Sequence, residues 1–388
     1  MPVSPVVKQT QFNITESLNS IQLEDWNRVV GSQYPFSQYE FLKALEDHEG
    51  VGEKYGWWPR FVTAWEGERL VGAVPLYLKD NSYGEFVFDM SWADAYKRAG
   101  IRYYPKYVAS IPYTPATGPR IHVEANHPNA NEIRSGLITA SQQLAEESGV
   151  SSLHWLFTDE KDTVSLKEQG YMLRLGCQFH WTNENYSSFD DYLQTFSATK
   201  RKKVKRERRR VVEQDIEMEV LHGHEMSDEQ WQVYHNFYLD TFDRKWGMAT
   251  LSLGFFKQLG RTMGENVVVV FARYKGQYVA SAFNIKGENT LYGRHWGCNA
   301  DFHSLHFEAC YYQGLDYCIQ HGLKTFEPGA QGEHKISRGF LPTRTWSAHW
   351  IAHPEFRQAI EAFCQQEQRE MELYIEELNN HSPFKATA

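Results

Sequence analysis

Along the chain the spacing of apolar residues changes period several times, and each change predicts an element. Residues 21–30 (IQLEDWNRVV) and 37–48 carry apolar side chains three and four positions apart, the stripe of an amphipathic helix. Gly31 and Gly50 stand where C-terminal caps belong. Alternation then takes over: residues 60–66 and 69–78 predict two β-strands joined at Glu66-Gly67-Glu68. A Pro- and Tyr-rich stretch follows, running through IPYTPATGPRI (111–121). A long helix is expected at about 129–148, ending at Gly149, and Ser152–Phe157 reads as a buried strand.

The same succession returns in the second half. Residues 266–274 and 277–286 predict a hairpin around Lys275-Gly276, 290–297 a strand, 304–321 a helix ending at Gly322, and Leu323–Phe326 a strand. FVTAWEGERLVGAVPL (61–76) matches VFARYKGQYVASAFNI (270–285) in pattern when Gly67 is laid on Gly276. EESGVSSLHW (146–155) likewise matches IQHGLKTFEP (319–328) with Gly149 on Gly322. Gly67 and Gly149 stand 82 positions apart and Gly276 and Gly322 only 46, so the first copy holds 36 more residues, assigned to the Pro/Tyr-rich stretch. The expectation is an α/β (α+β) protein of two similar tandem domains, each a mixed central sheet flanked by helices. The first spans 1–182, a basic helical connector 183–215, and the second 216–388, ending in a long helix from Pro354 to about Asn379. That last helix reads as a packing or oligomerisation element.

Composition narrows the class. A chain of 388 residues, 41% hydrophobic and 23% charged, is globular and too long for one ordinary core. No stretch approaches the ~20 apolar residues that span a bilayer. The start, MPVSPVVKQTQFNITES, lacks the charged and apolar regions of a secretory signal. The five cysteines include no C-x-x-C pair, which points to reduced thiols and a cytoplasmic address, with no disulfide framework or zinc site. Net charge is −9, yet residues 200–210 (KRKKVKRERRR) hold nine basic residues and one acid, a local +8 that leaves −17 elsewhere. An acidic body repels nucleic acid, so any polyanion contact must be local to this run. Val204 and Val211, seven apart, give it a thin apolar seam.

The candidate chemistry gathers in FEPGAQGEHKISRGFLP (326–342), which follows a strand end. Glu327, Gln331, Glu333, His334, Lys335 and Arg338 stand there among Gly329, Gly332 and Gly339. Such a loop lets backbone N–H groups approach a ligand while its side chains supply acid, base and anion-binding groups. On the helix 304–321, Glu308 shares the core-facing stripe with Leu305, Ala309, Tyr312, Leu315 and Ile319. A buried carboxylate needs a partner. Arg294 on the preceding strand is the expected one, with Arg338 and Lys335 as alternatives. His306 and Cys310 are four apart on one helix, but no H-E-x-x-H or G-x-S-x-G pattern accompanies them.

The doubled unit resembles tandem GNAT-type domains, and LHFEACYYQGLDYCIQHGLKTFEPGAQGEHKISRGFLP (305–342) resembles the signature of the FemAB-like group. TKRKKVKRERRR (199–210) and IPYTPATGPRI are similar to further segments of that group. The resemblance implies an acyl- or aminoacyl-transferase acting on a primary amine, linked to peptidoglycan precursors or another small molecule. No permanently bound cofactor is implied, and the acyl donor is either aminoacyl-tRNA or acyl-CoA. Glu327, Glu333 or His334 would be the base. Arg294, Glu308, Gln331, Lys335, Arg338, Lys200 and Arg201 would bind substrate, with a tRNA contact through residues 199–210. The group's lysine beside its Gly-Phe motif falls at Arg338. The Q/R-x-x-G-x-G/A loop of acyl-CoA-dependent GNAT enzymes is missing from WGCNADFHSLHF (296–307), a departure that weighs against acetyl-CoA. The rival expectations are an acyl-CoA-dependent N-acetyltransferase, a non-catalytic protein that recognises a cell-wall or nucleotide ligand, and an RNA-binding protein using 199–210.

Overall fold

The computed structural model describes residues 9–244, 247–330 and 332–385. They form two compact units, one of residues 1–176 with 345–369, the other of 177–344 with 370–388.

The first unit runs β1 (Gln11–Thr15), α1 (Leu23–Val30), α2 (Tyr39–Asp47), β2 (Trp57–Pro59), β3 (Phe61–Glu66), β4 (Arg69–Val74) and β5 (Leu76–Lys79). It continues with α3 (Met90–Arg98), β6 (Lys106–Ala109), β7 (His122–Val123), α4 (Ala130–Glu147), β8 (Ser152–Thr158) and α5 (Glu160–Glu168). One sheet has the order β1-β3-β4-β7, all antiparallel. In the other, β2, β5 and β6 pair antiparallel, β6 lies parallel to β8, and residues 346–351 pair antiparallel with β8. The periodicity that predicted α4 buries Ile133, Leu137 and Ile138 against Val62, Val71 and Trp155. The Pro/Tyr-rich stretch contributes β6, so β8 finds its parallel neighbour there rather than in β7.

The second unit contains the end of β9 (Met172–Thr182), α6 (Phe189–Gln194), α7 (Ala198–Glu213), β10 (Ile216–His222), α8 (Asp228–Arg244), α9 (Leu253–Thr262), β11 (Val267–Tyr274), β12 (Gln277–Lys286) and β13 (Thr290–Cys298). After these come α10 (Leu305–Phe307), a π-helical turn at Glu308–Tyr312, α11 (Gln313–Gln320) and β14 (Thr325–Glu327). β15 (Leu341–Ile351), whose last residues are the strand beside β8, leads into α12 (Pro354–Asn379). The sheet order is β10-β11-β12-β13-β14-β9, antiparallel except for the parallel pair β13–β14.

The duplication is visible in the two hairpins. Trp65 faces Leu70 and Ala64 faces Gly72, leaving Val71 as the bulged residue. Arg273 faces Tyr278 and Ala272 faces Ala280, leaving Val279 in the same place. This register sets Gly67 on Lys275, one position away from the glycine match. Two-residue hairpin loops need positive φ, and they supply it differently: Gly67 at the first position (φ 66), Lys275 and Gly276 at both (φ 50 and 76).

The domain limits differ from those expected. Residues 345–369 belong to the first unit, because strand 346–351 pairs with β8 and Ile360 and Cys364 pack on Trp92, Tyr96 and Tyr103. The end of β9 belongs to the second unit, where Trp181 and Thr182 pair with Phe326 and Thr325. The segment 183–215 is no separate connector. Its Tyr192, Leu193, Phe196 and Val204 lie in one core with Tyr312, Phe326 and Phe340.

Candidate active site at the end of the parallel strand pair

β13 and β14 pair only at Thr290–Tyr292 and Thr325–Glu327, although β13 runs on to Cys298. Beyond Glu327 the partner strand turns away through Pro328. Gly293 permits that turn, since a Cβ there would stand 3.1 Å from Pro328 Cα. One residue later β13 bulges: Asn284 faces Gly293 and Phe283 faces His295, so Arg294 is the extra residue. Open sheets bind ligands where parallel strands diverge at their C-terminal ends. Glu327, Arg294 and the 328–340 loop stand at that end.

Glu327 closes β14 and is nearly buried, with its Oε2 3.8 Å from His180 Nε2 on neighbouring β9. Burial, aided by the charge of Lys335, holds His180 down to about 3, so its ring is neutral and its Nε2 lies 3.0 Å from Gln178 Oε1. Lys335 is buried at 2% exposure and donates from Nζ to Gly329 O at 2.6 Å. With a carbonyl there instead of a carboxylate, desolvation lowers its amine to about 8. A cation that titrates close to physiological pH, with a neutral imidazole near enough to feel its charge, is suited to proton transfer and to stabilising a developing negative charge. His180 also lines an open groove of about 790 Å³, together with Glu184, Tyr186, Asp191, Thr195 and Lys385.

Glu308 is buried and paired, as its place on the stripe requires. Its partner is Arg208 of α7, bonded through Nε and Nη2 at 3.2 and 3.0 Å, and Gln313 adds a bond of 2.8 Å. Arg208 also reaches Asp316 at 2.7 Å. Arg294 was the expected partner. The bulge resets the pleat there, and the Arg294 charge acts instead on Tyr234 of α8 and on His295. Arg338, expected to hold an anionic substrate, is buried at 2% and bound to Glu207 of α7 at 2.8 Å and to Tyr312 at 3.1 Å, with Phe307 stacked on it. Both arginine–glutamate pairs therefore tie α7 to the π-turn and the loop. The π-turn explains why Tyr311 and Tyr312 are both buried: its wider turn brings two successive side chains inward.

The other expected residues scatter. Glu333 is exposed and accepts a bond from Tyr374 at 2.7 Å, which removes it from the strand end. His334 is exposed, with Nε2 2.8 Å from Tyr311 OH. Partial burial and then the charges of Arg338, Lys335 and Lys203 lower its pKa. Gln331 lies outside the described residues. Lys200 is half-buried, and Arg201 donates to Gln194 at 3.1 Å. Lys203, on the same helix, is half-buried, and burial followed by the Arg338 charge lowers its pKa. His180, Lys203, Glu207 and Arg208 were not singled out from the sequence. The single Glu207 within a basic run was the readable signal, since an acid placed there asks for a buried cation.

The fold is shared with solved structures at low identity. FemX matches with a TM-score of 0.52 at 10% identity over 91% of this chain and 100% of its own. The C-terminal domain of a protein described as a lysylphosphatidylglycerol synthetase from Agrobacterium fabrum gives 0.54 at 10% identity, covering 88% and 96%. L-PGS from Bacillus licheniformis gives 0.50 at 11% identity, covering 86% and 97%. No curated protein matches the chain. A family model for peptidoglycan biosynthesis/recognition matches residues 17–386, and the chain belongs to the FemAB-like family.

Proposed function

We propose that this protein transfers an acyl or aminoacyl group to a primary amine on a peptidoglycan precursor, with Glu327 and Lys335 at the reacting atoms. The observation that carries the reading is the parted β13–β14 pair with a buried, readily titrating Lys335 at its end. The acceptor amine attacks the donor's ester carbonyl: a C–N bond forms, the C–O bond to the carrier breaks, and the carrier hydroxyl leaves with a proton. Glu327 accepts the amine's proton, while protonated Lys335 faces the tetrahedral oxyanion. His180, 3.8 Å from Glu327, does not compete for charge, because it stays neutral. Arg338, Glu308, Glu207 and Arg208 hold the loop and the π-turn, and so act as positioning residues.

An aminoacyl-tRNA donor suits the site better than acyl-CoA. The stretch after β13 enters a three-residue helix and then the π-turn, with Ser304 at φ 70, which makes no glycine-rich pyrophosphate cradle. The α7 helix meanwhile turns Lys202 and Arg206 to solvent, beside half-buried Lys200 and Lys203. Incubation with aminoacyl-tRNA or acyl-CoA and an amine-bearing muropeptide precursor, read by mass spectrometry, tests this. Aminoacylated product that disappears with Glu327→Gln supports the reading; no product from either donor, or an undiminished Glu327→Gln, overturns it.

A further inference from the structure

The segment between β5 and α3 alternates inward and outward side chains. Glu85 and Asp89 are buried and Val87 half-buried, while Phe86, Phe88 and Met90 are 43%, 56% and 54% exposed. The backbone is pinned from several sides. Lys79 Nζ and Trp57 Nε1 each donate to Tyr83 O at 3.1 Å, Tyr113 N–H donates to Gly84 O at 3.1 Å, and Arg174 Nη1 donates to Phe88 O at 2.7 Å. Fully buried Lys106 binds Glu85 at 2.7 Å and also Asp89. Val87 packs on Val108, Leu156 and Phe157. The fold thus holds three outward apolar side chains rigidly in water. Phe86 sits at φ 60, a left-handed conformation that a bulky residue rarely adopts and that glycine would take without strain.

α3 extends this surface. Trp92 and Tyr96 are buried with Tyr103 and Ile360, whereas Lys97 and Arg98 at its end, and Ile101 and Arg102 just beyond, are exposed. Asp94 also lies on this outer face, and the three cations outnumber it. Exposed aromatic residues and Met beside Lys and Arg are the signature of a protein seated at a lipid–water interface, where the rings enter the headgroup boundary and the cations meet phosphate. No described helix is long and apolar enough to cross a membrane, so the contact is peripheral.

We propose that the Phe86–Met90 loop and the C-terminal end of α3 dock the protein on an anionic lipid surface. Cosedimentation of the full chain with vesicles of phosphatidylglycerol and phosphatidylcholine in equal parts tests it, against phosphatidylcholine alone. Binding is expected to the anionic vesicles and to fall roughly tenfold or more in Phe86→Ser/Phe88→Ser/Met90→Ser, as removal of three inserted apolar side chains requires. Lys97→Glu/Arg98→Glu should weaken binding to anionic vesicles alone, and both variants should melt as the wild type does. Phe88→Trp should shift its fluorescence to the blue on these vesicles. Absence of vesicle binding overturns the proposal, as does binding that survives the apolar triple variant. Self-association that the same triple variant abolishes also overturns it, in favour of a second copy of the chain on this surface.

Discussion

Lys106 of the first unit and Lys335 of the second are both buried, and the two are pushed in opposite directions. In the first, Lys106 has no exposure and lies between Glu85 and Asp89. Burial works against its charge, but the two carboxylates outweigh burial and raise its pKa. One ammonium cannot satisfy both acids equally: burial pushes Glu85 up to about 7, while for Asp89 the Lys106 charge overcomes burial and holds it at about 2. Tyr103, His154, Ser152, His349 and Ser347 carry the hydrogen bonding onward within that unit. In the second unit Lys335 meets a carbonyl instead, and burial prevails. A lysine locked by acids is a strut. One left with a neutral partner keeps a proton it can give up, which is what chemistry at the strand ends requires.

The largest expected effect breaks the strut. Lys106→Met strands Glu85 and Asp89 without their cation, and should destabilise the protein by about 3–5 kcal/mol, measured by thermal or urea unfolding. A small loss would mean the network is not what holds the first unit.

Lys335→Met makes the same substitution where the opposite is expected. Transfer should fall by roughly 10²-fold or more with little loss of melting temperature. The pH dependence sharpens this. A folded pKa near 8, below the unfolded lysine value of about 10.4, means the unfolded chain holds more protons between these values, so wild-type stability should rise with pH across that window. The contribution is on the order of 3 kcal/mol at most, reduced by the Gly329 bond, and Lys335→Met should flatten the rise. An unchanged pH profile would place Lys335 with Lys106 as a structural residue.

Glu308→Leu should cost less than Lys106→Met, roughly 1–2 kcal/mol, because Arg208 is partly exposed and keeps Asp316. Glu308→Gln should be nearly neutral in stability. A loss as great as that of Lys106→Met would show that the Glu308 pair carries the fold rather than positioning the π-turn.

The smallest effect on stability belongs to Lys202→Glu/Arg206→Glu, both exposed, within about 0.5 kcal/mol as for surface changes. Donor affinity should nevertheless drop, and its dependence on salt should weaken by about two charges. An unaltered salt slope would exclude α7 as a polyanion contact.

Much of the architecture was legible from local pattern. The repeated strand–helix order, the caps at Gly31 and Gly149, the long final helix, and the burial of Glu308 all follow from periodicity along one segment, because an element's inward face is set by its own backbone geometry. The chemistry of 327–342 was legible as residue types, though not as roles. Which charge meets Glu308 depended on a helix 100 positions earlier supplying Arg208. The return of strand 346–351 to β8, and so the limits of both units, arose from pairing between residues nearly two hundred positions apart. Lys106 and Lys335 look alike in the sequence. Only the tertiary structure decided that one faces two carboxylates and the other a carbonyl, and since burial penalises a charge according to what lies within a few ångströms, that packing gave them opposite chemistry.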